Sequence, residues 1–183
     1  MQKITDYTHT LIASFVKAGD YCVDATCGNG NDTLFLAKLV GEEGQVDAYD
    51  IQEAAITSAK ELTKEYHNIN FYLTSHEEIT ITNCKCVLFN LGFLPHGDKA
   101  ITTRHDSTLK AIQNLMNQYP NNPDLQIYLV VYPGHEEGYL EHLTLSSYLE
   151  TLDSKKFLVT KMIPFNQKNS PYLFIIQQKK SSI

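Results

Sequence analysis

Tryptophan is absent from this 183-residue chain, and cysteine occurs only four times. No apolar stretch approaches the roughly eighteen residues that a membrane-crossing helix needs, so no membrane partner is expected. The opening Met1-Gln2-Lys3-Ile4-Thr5-Asp6 also lacks the apolar segment of a secretory signal, and a cytoplasmic location is expected. Cys22, Cys27, Cys84 and Cys86 form no C-x-x-C pair, and the C-x-C at 84 and 86 falls in a strand-like stretch. That is poor zinc geometry, so buried free thiols and no metal are expected. Positive charge is scarce too: the formal charge is −6, which argues against gripping a long nucleic acid by its phosphates. The shortage is uneven, because residues 154–183 contain Lys155, Lys156, Lys161, Lys168, Lys179 and Lys180 and no acid. This basic end reads either as a contact for a short RNA element or as a solvated lysine-rich edge.

What is present fits one domain spanning residues 1–183. Leu11, Ile12, Phe15 and Val16 recur at helical spacing behind Asp6 and Thr8, two candidate caps. Strands are expected at 23–24, 45–49, 70–73, 87–89 and 126–132, with helices at 32–40, 52–66, 103–118 and 136–152. The last two strands, 157–163 and 172–178, are separated by about eight residues, too few for a helical crossover, so they should pair antiparallel. The alternation implies an α/β fold: an open, mainly parallel sheet with one antiparallel strand and helices on both faces. Homodimerisation through an apolar face of the first helix or the final hairpin is also expected.

A third glycine is missing where one class of cofactor would need it. Residues 23–33 run from a short apolar strand through Cys27, Gly28, Asn29, Gly30 and Asn31 into a helix opened by Asp32 and Thr33. The dinucleotide pattern G-x-G-x-x-G requires glycine where Thr33 stands, and Asp32 at the helix start would repel a pyrophosphate. An acid there suits an ammonium group instead. Asp50, twenty-two residues past Gly28, closes the second strand and is placed to accept hydrogen bonds from ribose hydroxyls. The combination favours S-adenosylmethionine, which carries adenosine, a sulfonium and an amino-acid tail but no phosphate.

In such a sheet ligands bind beyond the carboxyl ends of the strands. Ser75 and His76 follow the third strand, where an adenine would lie, and Asn90-Leu91-Gly92-Phe93 follow the fourth. This last run resembles the (N/D)-P-P-(Y/F) motif of methyltransferases that act on exocyclic amines, with Asn90 and Phe93 matching and Leu91 and Gly92 replacing the prolines. The side-chain carbonyl of Asn90 and the backbone carbonyl of Leu91 can accept hydrogen bonds from an amine and aim its lone pair, while Phe93 packs on a flat substrate. An alkyl amine must first lose its proton at neutral pH. His96, Asp98, Tyr132 and His135 are the candidate acceptors for it.

Taken together, DATCGNGNDT at 24–33, NLGFLPHGDK at 90–99, the helix start at 102–109, YPGHEEG at 132–138 and NSPY at 169–172 resemble the MnmM family, small class I methyltransferases of Gram-positive bacteria with a Rossmann-like fold. The resemblance spans nearly the whole chain. It implies methylation of the aminomethyl group of 5-aminomethyl-2-thiouridine in the tRNA anticodon loop. By the same resemblance, Cys27, Gly28, Asn29, Gly30, Asn31, Asp32, Thr33, Asp50, Gln52, Ser75 and His76 would line the cofactor, with Asn90 and Gly92 beside the methyl group. Phe93, Leu94, His96, Asp98, Lys99, Arg104, Tyr132 and His135 would surround the uridine. Three other readings stay open: methylation of ribosomal RNA or a small-molecule amine, a non-catalytic sensor of an adenosyl ligand, and a dinucleotide-dependent oxidoreductase.

Overall fold

The computed structural model describes residues 3–92 and 104–180. Seven strands form one sheet in the order β3-β2-β1-β4-β5-β7-β6. These are β1 (Tyr21–Asp24), β2 (Gln45–Asp50), β3 (Ile69–Leu73), β4 (Cys84–Asn90), β5 (Gln126–Val131), β6 (Phe157–Met162) and β7 (Tyr172–Gln178). Only β7 is reversed, pairing antiparallel with β5 on one side and β6 on the other. The closing hairpin expected from the short 163–171 connection is therefore present. Helices α1 (Ile4–Phe15), α2 (Asn31–Val40) and α3 (Glu53–Leu62) cover one face, and α4 (His105–Asn117) and α5 (Glu136–Glu150) cover the other.

Alternation along the strands produces the two cores. Val87, Phe89 and Leu91 face α4 and α5 together with Ile127, Leu129 and Val131, whereas Cys86, Leu88, Tyr128 and Val130 face α1 and α2 with Ile12, Leu36 and Val40. Each fully buried Leu, Ile or Phe is worth roughly 1.5–3 kcal/mol, and burial on both faces explains why residues 86–89 and 127–131 read as continuous apolar runs. All four cysteines are buried and free. Cys84 lies in the first core and Cys86 in the second, although a regular pleat puts residues two apart on one face. A bulge is the reason: Tyr21 pairs with Cys84 but Cys22 pairs with Cys86, so Lys85 is the extra residue.

Some expected boundaries move. Helix α1 starts at Ile4, so Thr8 is not a cap but an interior residue whose hydroxyl donates to the Ile4 carbonyl at 2.8 Å. Asp6 does cap, from the third helical position, by accepting the Lys3 amide at 2.7 Å. Helix α3 stops at Leu62 rather than continuing to 66; Thr63 closes its last turn, its amide and hydroxyl both donating to the Ala59 carbonyl, and the chain then turns through Tyr66, whose amide donates to the Thr63 carbonyl at 2.8 Å. Two short 3-10 turns, His76–Glu78 and Tyr119–Asn121, were not anticipated. Among the described residues no helix is long and apolar enough to cross a membrane.

Between α4 and α5 a carboxyl is shut away from water. Glu141 is 1% exposed, and its Oε1 accepts the Thr108 hydroxyl at 2.9 Å. Burial pushes its pKa up from 4.5 to about 8, with the Thr108 bond opposing and the Glu137 charge assisting. A carboxyl whose folded pKa is raised keeps its full contribution below the unfolded value and loses it as pH climbs through the folded one. Glu141→Gln retains the acceptor for Thr108 without the charge. It should leave the melting temperature near wild type at pH 5 and raise stability by about 1–3 kcal/mol at pH 9, measured by thermal denaturation across pH.

Candidate active site

The loop after β1 is built around a carboxyl with no solvent contact. Asp24 is 0% exposed; its Oδ1 accepts the Thr26 amide at 3.1 Å and its Oδ2 accepts the Thr33 hydroxyl at 2.6 Å. Burial raises its pKa to about 7, reinforced by the charges of Asp32 and Asp50 and opposed by the two hydrogen bonds. These bonds tie the strand end to the first turn of α2 and bend the intervening residues outward. Gly30, at φ +86°, lets that turn touch α3: a Cβ there would stand 2.7 Å from the Ala59 Cα. From the neighbouring strand, Asp50 closes the outside of the loop, accepting the Gly28 amide at 2.8 Å and the Gln52 amide at 2.9 Å.

A cavity of about 830 Å³ opens over the carboxyl ends of β1, β2, β3, β4 and β5. Cys27, Gly28, Asn29, Asn31, Asp32, Asp50, Gln52, Ser75, His76, Asn90, Gly92, Arg104, Tyr132 and His135, all singled out in the sequence, lie along it. Gly30 and Thr33 stand behind the wall, where they shape the loop. Leu91 also points away, 1% exposed in the core, with its amide donating to the Val130 carbonyl at 2.9 Å. Phe93, Leu94, His96, Asp98 and Lys99 lie outside the described residues.

His76 is less free than a loop histidine usually is. It is 8% exposed, and burial holds its pKa below the ordinary value. A neutral ring has one N–H, which goes to the Ala25 carbonyl from Nδ1 at 3.3 Å; Nε2, at 3.2 Å, is left to accept the Ser107 hydroxyl. His76 thus joins the β1 loop to α4. At the other end, His135 caps α5: its Nδ1 accepts the Gly138 amide at 3.0 Å. Tyr132 is pushed up to about 12 by burial, with the Asp32 charge adding to the shift and a hydrogen bond with Asn90 opposing it. Its phenol is thereby held in the neutral form near pH 7.

Asn90 is held from the β1 loop and from α2 as well as by Tyr132. Its amide donates to the Thr26 hydroxyl at 2.7 Å and its Nδ2 donates to Asp32 Oδ2 at 3.0 Å. The second oxygen of Asp32 meets His9 Nε2 at 2.7 Å. Thr5, His9, Thr26 and Ser107 were missed in the sequence. For Thr5 and His9 a signal existed, since they extend the apolar positions Ile12 and Val16 at i, i+4, i+7 and i+11. The lysine-rich end is divided by the reversal of β7: Lys155, Lys156, Lys179 and Lys180 gather at the end of the sheet opposite the cavity, where Lys180 approaches Asp124 at 3.4 Å. Lys161, near the end of β6 and over the Tyr172 ring at 4.4 Å, and Lys168 of the loop 163–171 lie toward the cavity end.

A glycine-bearing loop after β1, an acid ending β2 and this strand order define a class I methyltransferase. Residues 46–178 match the family model described as "Putative rRNA methylase". The chain is similar to the chloroplastic tRNA (mnm(5)s(2)U34)-methyltransferase of Arabidopsis thaliana, 33% identical over 98% of this chain and 71% of that protein. An rRNA-methylase of the same description from Clostridium thermocellum superposes with a TM-score of 0.90 at 36% identity, covering 98% and 99% of the two chains. A Streptococcus mutans methyltransferase in complex with SAH gives 0.84 at 26% identity over the same shares. The chain belongs to this rRNA methylase family.

Gly138 supports the far wall. A Cβ there would stand 1.9 Å from the Tyr132 carbonyl oxygen and 2.8 Å from the His135 ring. Gly138→Ala must displace the whole 132–138 turn, so thermal denaturation should find it less stable by about 2 kcal/mol or more.

Proposed function

We propose that the chain is an N-methyltransferase whose acceptor is the aminomethyl group of 5-aminomethyl-2-thiouridine at the tRNA wobble position, giving 5-methylaminomethyl-2-thiouridine. S-adenosyl-L-methionine is the methyl donor, supplying an electrophilic methyl carbon on a sulfonium that departs as a neutral thioether. The cavity walls fit that donor. Asp32 and Asp50 face the space and Asp24 lies just beneath it, while among the described lining residues Arg104, which is exposed, is the one lysine or arginine, beside the histidines His9, His76 and His135. A cationic ligand is favoured there and a pyrophosphate is not. Asp50 would hold the ribose hydroxyls, Ser75 and His76 the adenine edge, and the loop 27–32 the amino-acid end.

The single observation carrying the acceptor reading is the fixed amide of Asn90. An ionised carboxylate only accepts hydrogen bonds, so the Asn90 NH₂ must face Asp32, and its carbonyl is the end available to an amine. Together with the backbone carbonyl of Leu91 it would orient the nitrogen lone pair along the line of displacement. Orientation of this kind can contribute several kcal/mol, up to roughly 7–11 in well-aligned cases. The similarity to the chloroplastic tRNA methyltransferase supports the wobble uridine as the acceptor, reached through an anticodon loop that presents few phosphates. One domain and, through exposed Tyr7 and Ile163, a homodimer complete the reading. A second reading, a small-molecule or ribosomal RNA amine, draws on the four lysines at the far end of the sheet, which leave little positive charge near the cavity.

Labelled methyl transfer into unfractionated tRNA, ribosomal RNA and small metabolites, followed by nucleoside analysis, separates the two. Incorporation as 5-methylaminomethyl-2-thiouridine is expected, and label found only in ribosomal RNA or metabolites defeats the wobble reading. Asn90→Ala should retain donor binding by calorimetry yet lower turnover about 10²-fold or more. Asp50→Ala should instead weaken donor binding about tenfold or more, because it removes charge-assisted acceptors.

A further inference from the structure

His9 belongs to α1, outside every motif of the nucleotide loop, yet its imidazole lines the cavity. Its Nε2 lies 2.7 Å from Asp32 Oδ1, and Asp32 Oδ2 accepts the Asn90 amide at 3.0 Å. The ring is also held from the side: it stacks on Phe35 with centroids 3.8 Å apart and planes 3° from parallel. One carboxylate therefore joins a ring clamped between helices α1 and α2 to the side chain ending β4. Asp32 is at the first turn of α2, where a lone carboxylate has several rotamers open to it. With His9 on one oxygen, a single rotamer presents the other to Asn90.

We propose that His9 is a positioning residue for methyl transfer: through Asp32 it fixes which way the Asn90 amide faces, and so where the acceptor amine is held. The inference rests on the reading of Asn90 as the amine holder. Without His9 the carboxylate swings, the Asn90 amide rotates between alternative hydrogen bonds, and its carbonyl points at the amine only part of the time. The effect falls on turnover of bound substrate rather than on RNA affinity, because His9 acts on the alignment of Asn90.

The test is a double-mutant cycle measured at saturating donor with tRNA carrying the unmethylated aminomethyl group. His9→Leu should lower kcat about tenfold with KM for tRNA little changed, since misalignment of a reacting group costs rate. His9→Gln, whose side-chain amide can donate near the position of Nε2, should recover most of that loss. On an Asn90→Ala background His9→Leu should cost no more than about twofold further, because the two residues act through one path. Wild-type turnover in His9→Leu overturns the proposal, and so does an equal loss on both backgrounds. Near wild-type turnover in Asn90→Ala alone overturns the amine-holder reading itself, and with it the role of His9. Calorimetric donor binding and the melting temperature of each variant separate these outcomes from misfolding.

Discussion

A carboxyl sealed at the end of the first strand is the constraint on which the rest of the site depends. Asp24 has no water to solvate it, so the amide of Thr26 and the hydroxyl of Thr33 must do so. Satisfying it forces strand β1 and the first turn of α2 to close around one point, and the six residues between them have to bulge toward the ligand. Thr26, having given its amide inward, turns its hydroxyl to the amide of Asn90 on the next strand. The loop after β1 and the end of β4, to which the donor and the acceptor amine are assigned in the proposal, are thus set by the same buried group.

Electrostatics around that point are one-sided. Burial is the main reason the pKa of Asp24 rises to about 7, and Asp32 and Asp50 sit close enough for their charges to add to it. Such a cluster is relieved by positive charge. The proposed donor carries it twice, as a sulfonium and an ammonium. The same logic explains how Thr33 can stand where other nucleotide folds require glycine: its side chain is spent inward on Asp24, and no phosphate needs to lie against the helix start.

The sheet was legible because its periodicities are strong. Strands such as Ile127–Val131 are apolar on both faces, and the short 163–171 connection left no alternative to a reversed strand. The loop at 27–32 and Asp50 were legible because chemistry and spacing coincide in one local stretch. What escaped was contact across long sequence separations. His9 meets Asp32 from 23 residues away and Ser107 meets His76 from 31, and neither distance leaves a local pattern. The division of the lysines escaped for a related reason: composition counts charges along a chain, while a reversed strand sends neighbouring ones to opposite ends of the molecule.

The extra residue at Lys85 has a bearing on chemistry well above it in the sheet. Because side chains on a strand alternate, a bulge decides the parity of everything that follows, and here it leaves even-numbered Cys86, Leu88 and Asn90 on the side of α1 and α2. Opposite parity would offer Phe89 or Leu91 to Asp32, a hydrocarbon where an amide is wanted. An irregularity at the foot of two strands thereby selects the functional group displayed at their tips.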